Sequence, residues 1–130
     1  MIQRFLHESS QIACSSKIGF FTIIREKSSI GEHTVVGDRV FISRNVVIGD
    51  DCVIGDGVYI CENVEIGDNT FIESGVSFVE KLNQRASENI IAKKTLVGTN
   101  VTIHAKTVVE SGCVIESGSV IEYGTVLKRI

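Results

Sequence analysis

Aliphatic residues recur at every sixth position along almost the whole chain. The series runs Leu6, Ile12, Ile18, Ile24, Ile30, Val36, Ile42, Ile48, Ile54, Ile60, Ile66, Ile72 and Phe78. It then breaks and resumes as Ile91, Val97, Ile103, Val109, Ile115, Ile121 and Leu127. A helix repeats every 3.6 residues and a strand every two, so neither alone produces this period. A short strand, a sharp turn and another short strand does. Three such units close a triangular coil of eighteen residues, and successive coils stack as parallel strands. The expected architecture is therefore all-β, one parallel β-helix spanning residues 1–130. About six coils at ~4.8 Å per rung make it roughly 29 Å tall.

The rest of the hexapeptide fits this coil. Four residues after each aliphatic position stands a small or β-branched residue, such as Thr22, Thr34, Val46, Cys52, Val58, Thr95 or Cys113. The two slots lie two apart in one direction around the coil, so both point inward. The slot between them is rich in Asn and Gly (Asn45, Gly57, Asn63, Asn69, Gly75, Asn100), residues that tolerate positive φ at a turn. All twelve glycines occupy just two slots, and the chain has no proline. Gly19, Gly31, Gly37, Gly49, Gly55, Gly67 and Gly98 directly follow the aliphatic residue, and Gly57, Gly75, Gly112, Gly118 and Gly124 hold the turn.

The step from Phe78 to Ile91 is thirteen rather than twelve. Keeping Phe78–Asn83 as a hexapeptide leaves Gln84–Ile90, the polar segment QRASENI, as an insertion extruded from an otherwise continuous core. Such loops on rigid scaffolds often carry function.

Composition excludes several function classes. With 43% hydrophobic and 22% charged residues the 130-residue chain reads as soluble and globular. A net charge of −3 gives no electrostatic reason to bind nucleic acid or an anionic membrane. No apolar run is long enough to span a bilayer, and the N-terminal residues do not read as a secretory signal. Four scattered cysteines without a Cys-x-x-Cys spacing suggest a reducing cytoplasm and no metal site. Cys52 and Cys113, in the small inward slot, read as core.

Units such as IGEHTV, VGDRVF, IGDDCV, IGDGVY and IGDNTF resemble the hexapeptide-repeat family, whose pattern is [LIV]-[GAED]-x-x-[STAV]-x. That resemblance implies a left-handed parallel β-helix. The stretch VFISRNVVIGDDCVIGDGVYICENVEIGDNTFIESGVSF, a polar insertion and then NIIAKKTLVGTNVTI is similar to the nucleotide-sugar N-acetyltransferases. In that branch an insertion precedes a Lys-Lys pair and a Gly-x-Asn-x-Thr-Ile segment, which Lys93, Lys94, Gly98, Asn100, Thr102 and Ile103 match. Asn83 and Arg85 resemble the start of the family's loop, which implies substrate contact. The resemblance further implies acetyl-CoA as co-substrate, a nucleotide-linked amino sugar as acceptor, and a homotrimer with CoA in the groove between two β-helices. A trimer would also cover Phe20, Phe21, Phe41, Tyr59 and Phe71, read as exposed aromatics on one side of the coil.

Acyl transfer needs an amine or hydroxyl held against the thioester, a group to take its proton, and donors for the oxyanion. Among three histidines, His33 falls in a turn slot and His7 at a chain end, where solvated roles suffice. His104 follows Ile103, which the eighteen-residue ladder places above Phe78, so His104 sits above Val79 at the root of the inserted loop. Glu122 lies eighteen residues further on the same column. A His–Glu pair on adjacent rungs suits a general base and the carboxylate that orients it. Lys93, Lys94, Lys128 and Arg129 are candidates for the phosphates of CoA or of the nucleotide, and the Lys93–Lys94 segment at the loop root is expected to stand beside His104, which favours an enzyme. Relatives usually end in a proline-bearing tail over the last coil, whereas this sequence stops at ESGSVIEYGTVLKRI. A second reading is therefore a non-catalytic β-helix scaffold that binds a protein partner.

Overall fold

A computed structural model describes residues 4–79, 89–91 and 94–128. The described residues form twenty short strands, each of two or three residues, in three parallel sheets. The first face holds seven strands: Arg4–Leu6, Thr22–Ile24, Phe41–Ile42, Tyr59–Ile60, Ser77–Val79, Thr102–His104 and Val120–Ile121. The second face, also seven, starts at Gln11–Ile12 and includes Val64–Ile66, Asn89–Ile91, Val108–Val109 and Val126–Leu127. The third face holds six, from Lys17–Ile18 to Val114–Ile115, including Phe71–Ile72 and Leu96–Val97. The chain visits the faces in the fixed order first, second, third. Strands eighteen residues apart pair in register, as in Tyr59↔Phe41 and Ile60↔Ile42. This is a parallel β-helix of about six turns, consistent with the left-handed coil expected.

The period-six column is the core. Ile24, Ile42, Ile60, Phe78 and Ile103 line the inside of the first face and are fully buried. Ile30, Ile48, Ile66 and Ile91 do the same on the second, Val36, Ile54, Ile72 and Val97 on the third. Burying one such side chain contributes roughly 1.5–3 kcal/mol. The second inward slot is buried too, and its polar members are satisfied. Thr22 Oγ1 donates to the Gly37 carbonyl at 2.8 Å, and Thr34 Oγ1 to that of Gly49 at 2.8 Å. A buried hydroxyl bonded to an unsatisfied turn carbonyl costs little.

The turns hold a second ladder that the repeat pattern does not reveal. The side chain two residues after the aliphatic slot reaches down one coil and accepts from the backbone there. Asp38 Oδ1 accepts from Phe20 N (2.8 Å), Asp56 from Asp38 N (2.8 Å), Asp50 from Glu32 N (2.8 Å), and Asp68 from Asp50 N (2.7 Å). Thr99 N donates to Ser117 Oγ at 3.0 Å in the same way. The carboxylate or hydroxyl occupies the space where a side chain on the coil below would stand, which is why the slot after the aliphatic residue is so often glycine.

Two sequence expectations are corrected. The inserted segment does not extend to residue 90. Asn89–Ile91 is a strand, with Asn89 paired to Val64 and Ile91 to Ile66. The extra residues therefore fall between Val79 and Asn89, and 84–88 lie outside the described residues. The exposed aromatics do not share a side either. Phe41 and Tyr59 stack on the first face with ring centroids 5.3 Å apart. Phe71 is on the third face, and Phe20 and Phe21 occupy the turn between the third and first.

Cys52, Cys61 and Cys113 are buried and Cys14 is exposed. Burial pushes the Cys52 thiol up from its ordinary value. A maleimide or disulfide reagent is expected to titrate one thiol, Cys14, in the native protein and all four in denaturant. Rapid native labelling of Cys52 or Cys61, read by peptide mass, would contradict this packing.

Candidate active site

The three edges of the coil differ in chemistry. All seven glycines of the slot after the aliphatic residue stand on the edges joining second to third and third to first faces: Gly31, Gly49 and Gly67 on one, Gly19, Gly37, Gly55 and Gly98 on the other. On the edge joining first to second faces, that slot holds His7, Arg25, Ser43, Cys61, Val79, His104 and Glu122. No glycine occurs there. This edge also bears the inserted residues between Val79 and Asn89. It is the decorated edge of the molecule.

His104 ends the strand Thr102–His104 and pairs with Val79, as the ladder predicts. It is half-buried. Its carbonyl accepts from Thr107 Oγ1 at 2.7 Å, which ties the turn behind it. Ile103 pairs with Ile121, so Glu122 follows on the next rung. The two side chains share the column, but no hydrogen bond or ion pair joins them among the described residues. Glu122 is exposed. Lower on the same edge Arg44 Nη2 bonds Glu62 Oε1 at 2.8 Å, and Arg25 Nε bonds Glu26 Oε1 at 2.7 Å. The hydrogen bond from Arg25 holds the Glu26 carboxyl below the usual carboxylate range, and the same bond raises the Arg25 guanidinium.

The candidate phosphate ligands lie elsewhere. Lys94 is exposed at the edge between second and third faces, with a left-handed φ of 59° and its amide donating to the Asp68 carbonyl at 2.9 Å. Lys128 follows Leu127, which pairs with Val109, and so stands on the same edge. Gly98 is on the third edge, between third and first faces. A Cβ there would meet Ser117 N at 2.6 Å, so close stacking of two coils accounts for this glycine. Lys94, Gly98 and His104 therefore occupy three different edges of one coil. The reading that set Lys94 beside His104 is corrected: ten residues are more than half a turn of the helix. Lys93, Arg129, Asn83 and Arg85 lie outside the described residues. His33 is an exposed turn residue with φ 55°. No group of three or more metal-ligating side chains occurs among the described residues.

Family comparison agrees with this geometry. The model of bacterial transferase hexapeptide repeats (six repeats) matches residues 45–78. The model of the hexapeptide repeat of succinyl-transferase matches residues 89–123. The second match begins at Asn89, where the coil resumes after the insertion. The chain is a hexapeptide-repeat protein. No curated protein matches it. Among solved structures the hexapeptide protein is similar to the acetyltransferase domain of PglB from Neisseria gonorrhoeae, at 18% identity over 96% of this chain and 54% of that one, TM-score 0.53. That domain is also known in complex with acetyl coenzyme A, at 18% identity over 90% and 53% of the two chains, TM-score 0.57. A variant of AntD, an N-acyltransferase from Bacillus cereus, in complex with dTDP and coenzyme A, matches at 16% identity over 94% and 74% of the two chains, TM-score 0.69. At these identities the likeness shows the fold. The chain spans about half the length of the PglB domain structures. No helix among the described residues is long and apolar enough to cross a membrane.

Proposed function

We propose that this protein is an acetyl-CoA-dependent N-acetyltransferase acting on a nucleotide-linked amino sugar in cell-surface glycan synthesis, and that it works as a cytoplasmic homotrimer. The observation that carries the reading is His104, half-buried on the one edge without second-slot glycines and directly above the root of the inserted residues. Its placement suits a group that receives a substrate proton. The transferase descriptions of both matched family models support the reaction class. The coenzyme A held by the PglB domain and by AntD, and the dTDP held by AntD, support the co-substrate and the nucleotide-linked acceptor.

The reaction forms an amide bond and releases a thiol. The acceptor nitrogen attacks the acetyl carbonyl carbon, and the C–S bond breaks to leave the CoA sulfur. His104 takes the proton the nitrogen loses and returns it to the departing sulfur, which leaves as the thiol, and Glu122 orients the imidazole as the two side chains close on each other around substrate. Turn N–H groups steady the oxyanion. Lys93, Lys94, Lys128 and Arg129 face phosphates, Gly98 lets a ligand approach the backbone, and Asn83 and Arg85 hold the sugar nucleotide. Because His104 and Lys94 lie on different edges of one chain, a site using both takes them from neighbouring protomers. This is the physical reason for the homotrimer.

Titration calorimetry with acetyl-CoA tests the reading, with a thermal melt as companion. Ligand at a hundredfold excess over Kd adds ~2.7 kcal/mol to the native state, a rise of roughly 10 °C in Tm for a domain this size. Absence of heat and of any Tm shift at millimolar acetyl-CoA would favour the non-catalytic scaffold.

A further inference from the structure

The first coil carries a histidine and a serine that the reaction proposed above does not use. His7 follows Leu6 and opens the turn between first and second faces, and Ser9 stands two residues on. His7 is half-buried and Ser9 exposed. Ser9 Oγ lies 2.8 Å from His7 Nδ1. Two backbone amides fix the direction of that bond. The Ser9 amide donates to Nδ1 at 3.1 Å, and an amide N–H only donates, so Nδ1 is the unprotonated nitrogen of a neutral ring and the proton sits on Nε2. The Lys27 amide, one coil up, donates to Ser9 Oγ at 3.0 Å. The Ser9 hydroxyl therefore receives an N–H on its oxygen and points its own hydrogen at the imidazole lone pair.

Such an arrangement makes a hydroxyl nucleophilic. A base within hydrogen-bond reach takes the proton, and a donor on the oxygen steadies the charge it leaves. The fold itself does not require an imidazole here. The slot of His7 is filled in the next coils by Arg25, Ser43 and Cys61, and the same turn closes in each. Arg25 stands directly above His7 in the column, but its guanidinium is paired to Glu26 at 2.7 Å. The Glu26 carboxylate is also within electrostatic reach of the His7 ring. Ser117 supplies a comparison within the same molecule. It too is exposed, and its Oγ accepts from Thr99 N at 3.0 Å, yet no imidazole bonds to it among the described residues.

We infer that Ser9 is an acyl-acceptor site, with His7 as its base, which takes an acyl group from an activated ester or thioester. Ser9 Oγ attacks the acyl carbonyl carbon, and its proton passes to His7 Nδ1. The Ser9 N–H gives up Nδ1 as the ring takes that proton, which leaves the amide for the oxyanion. The bond to the leaving oxygen or sulfur then breaks. The leaving group departs with the bonding electron pair and receives the proton from Nδ1, so the products are an O-acyl serine and an alcohol or thiol. His7 and His104 lie five rungs apart along one edge, about 24 Å at ~4.8 Å per rung. The two centres are separate, and acylation of Ser9 does not depend on acetyl transfer at His104.

p-Nitrophenyl acetate is the probe, in a Cys14→Ala background so that no exposed thiol competes. The expected product is an acetyl ester on Ser9, located by peptide fragment masses and removed by neutral hydroxylamine, which spares acetyl-lysine. Ser9 should be acetylated faster than Ser117 by about tenfold or more, the least a positioned base supplies. His7→Asn is the companion variant. Its Oδ1 can still accept from the Ser9 amide and keep the turn, but a carboxamide is no base. Acetylation of Ser9 should slow by about 10²-fold with an unchanged circular-dichroism spectrum. Equal rates at Ser9 and Ser117 in the Cys14→Ala chain would overturn the inference without recourse to a further variant. A folded His7→Asn protein acetylated at Ser9 within twofold of its Cys14→Ala parent would overturn it as well, because the hydroxyl would then react without the imidazole.

Discussion

Replacing His104 by alanine is expected to slow acetyl transfer by about 10²- to 10⁴-fold, the usual worth of a positioned proton acceptor. The binding heat of acetyl-CoA should stay unchanged. His104 is half-buried and no other side chain bonds to its ring among the described residues, so its removal opens little void and strands no polar partner. Stability should therefore move by less than ~0.5 kcal/mol. That separation of rate from stability distinguishes a proton acceptor from a structural rung. Glu122→Gln is the companion: kcat should fall while KM holds, with Glu122→Asp recovering part of the rate. A rate within twofold of wild type for His104→Ala would remove it from the chemistry. The amine would then react in its neutral form without a protein base, as an acceptor that binds already deprotonated can.

The fold was legible because the β-helix makes one demand on every sixth residue and meets it with the same chemistry each time. The ladder map was legible for the same reason: eighteen residues return the chain to the same face, so His104 over Val79 followed from counting. The same count separates residues that look close in sequence. Tyr59 and Phe71 are twelve apart, two faces on, and cannot share a side. Lys94 and His104 are ten apart and belong to different edges. The end of the insertion was misplaced because Asn89 is polar in a slot usually small or β-branched, yet strand pairing with Val64 holds it in the coil. The aspartate ladder was hidden because its slot is unspecified in the repeat pattern. Asp, Ser and Thr all appear there, and only the three-dimensional stacking shows that the side chains of Asp38, Asp50, Asp56 and Asp68 each accept from the backbone amide eighteen residues earlier. The decorated edge was within reach of sequence alone. The second-slot glycines avoid every position congruent with His7, Arg25, Ser43 and Cys61, a signal that needed only a sort by edge.

Two glycines two residues apart should respond to substitution in opposite ways, because the coil needs them for different reasons. Gly55 has an ordinary backbone conformation but no room. A Cβ there would stand 2.5 Å from Ser74 N and 2.8 Å from the Glu73 carbonyl carbon, both backbone atoms of the next coil. Backbone cannot swing aside as a side chain can, so Gly55→Ala must separate two coils. The separation also stretches the bond from Asp56 N to Ser74 Oγ, now 3.2 Å. Overpacking of this kind costs about 1–3 kcal/mol and more where the backbone is the obstacle, so Gly55→Ala should lose about 3 kcal/mol. Gly57 has the reverse problem. Nothing lies within 4 Å of its Cβ position, but its φ is +66°. Asparagine already serves this slot with φ between 56° and 61° at Asn45, Asn63, Asn69 and Asn100. Gly57→Asn should therefore be tolerated within ~0.5 kcal/mol, and Gly57→Val, a β-branched residue forced into the left-handed region, should lose about 1–2 kcal/mol. Urea denaturation of the three variants at constant m-value orders them. If Gly55→Ala melts with the wild type, the coils are not held at the spacing that sets the aspartate ladder, and the close-stacking account of Gly98 falls with it.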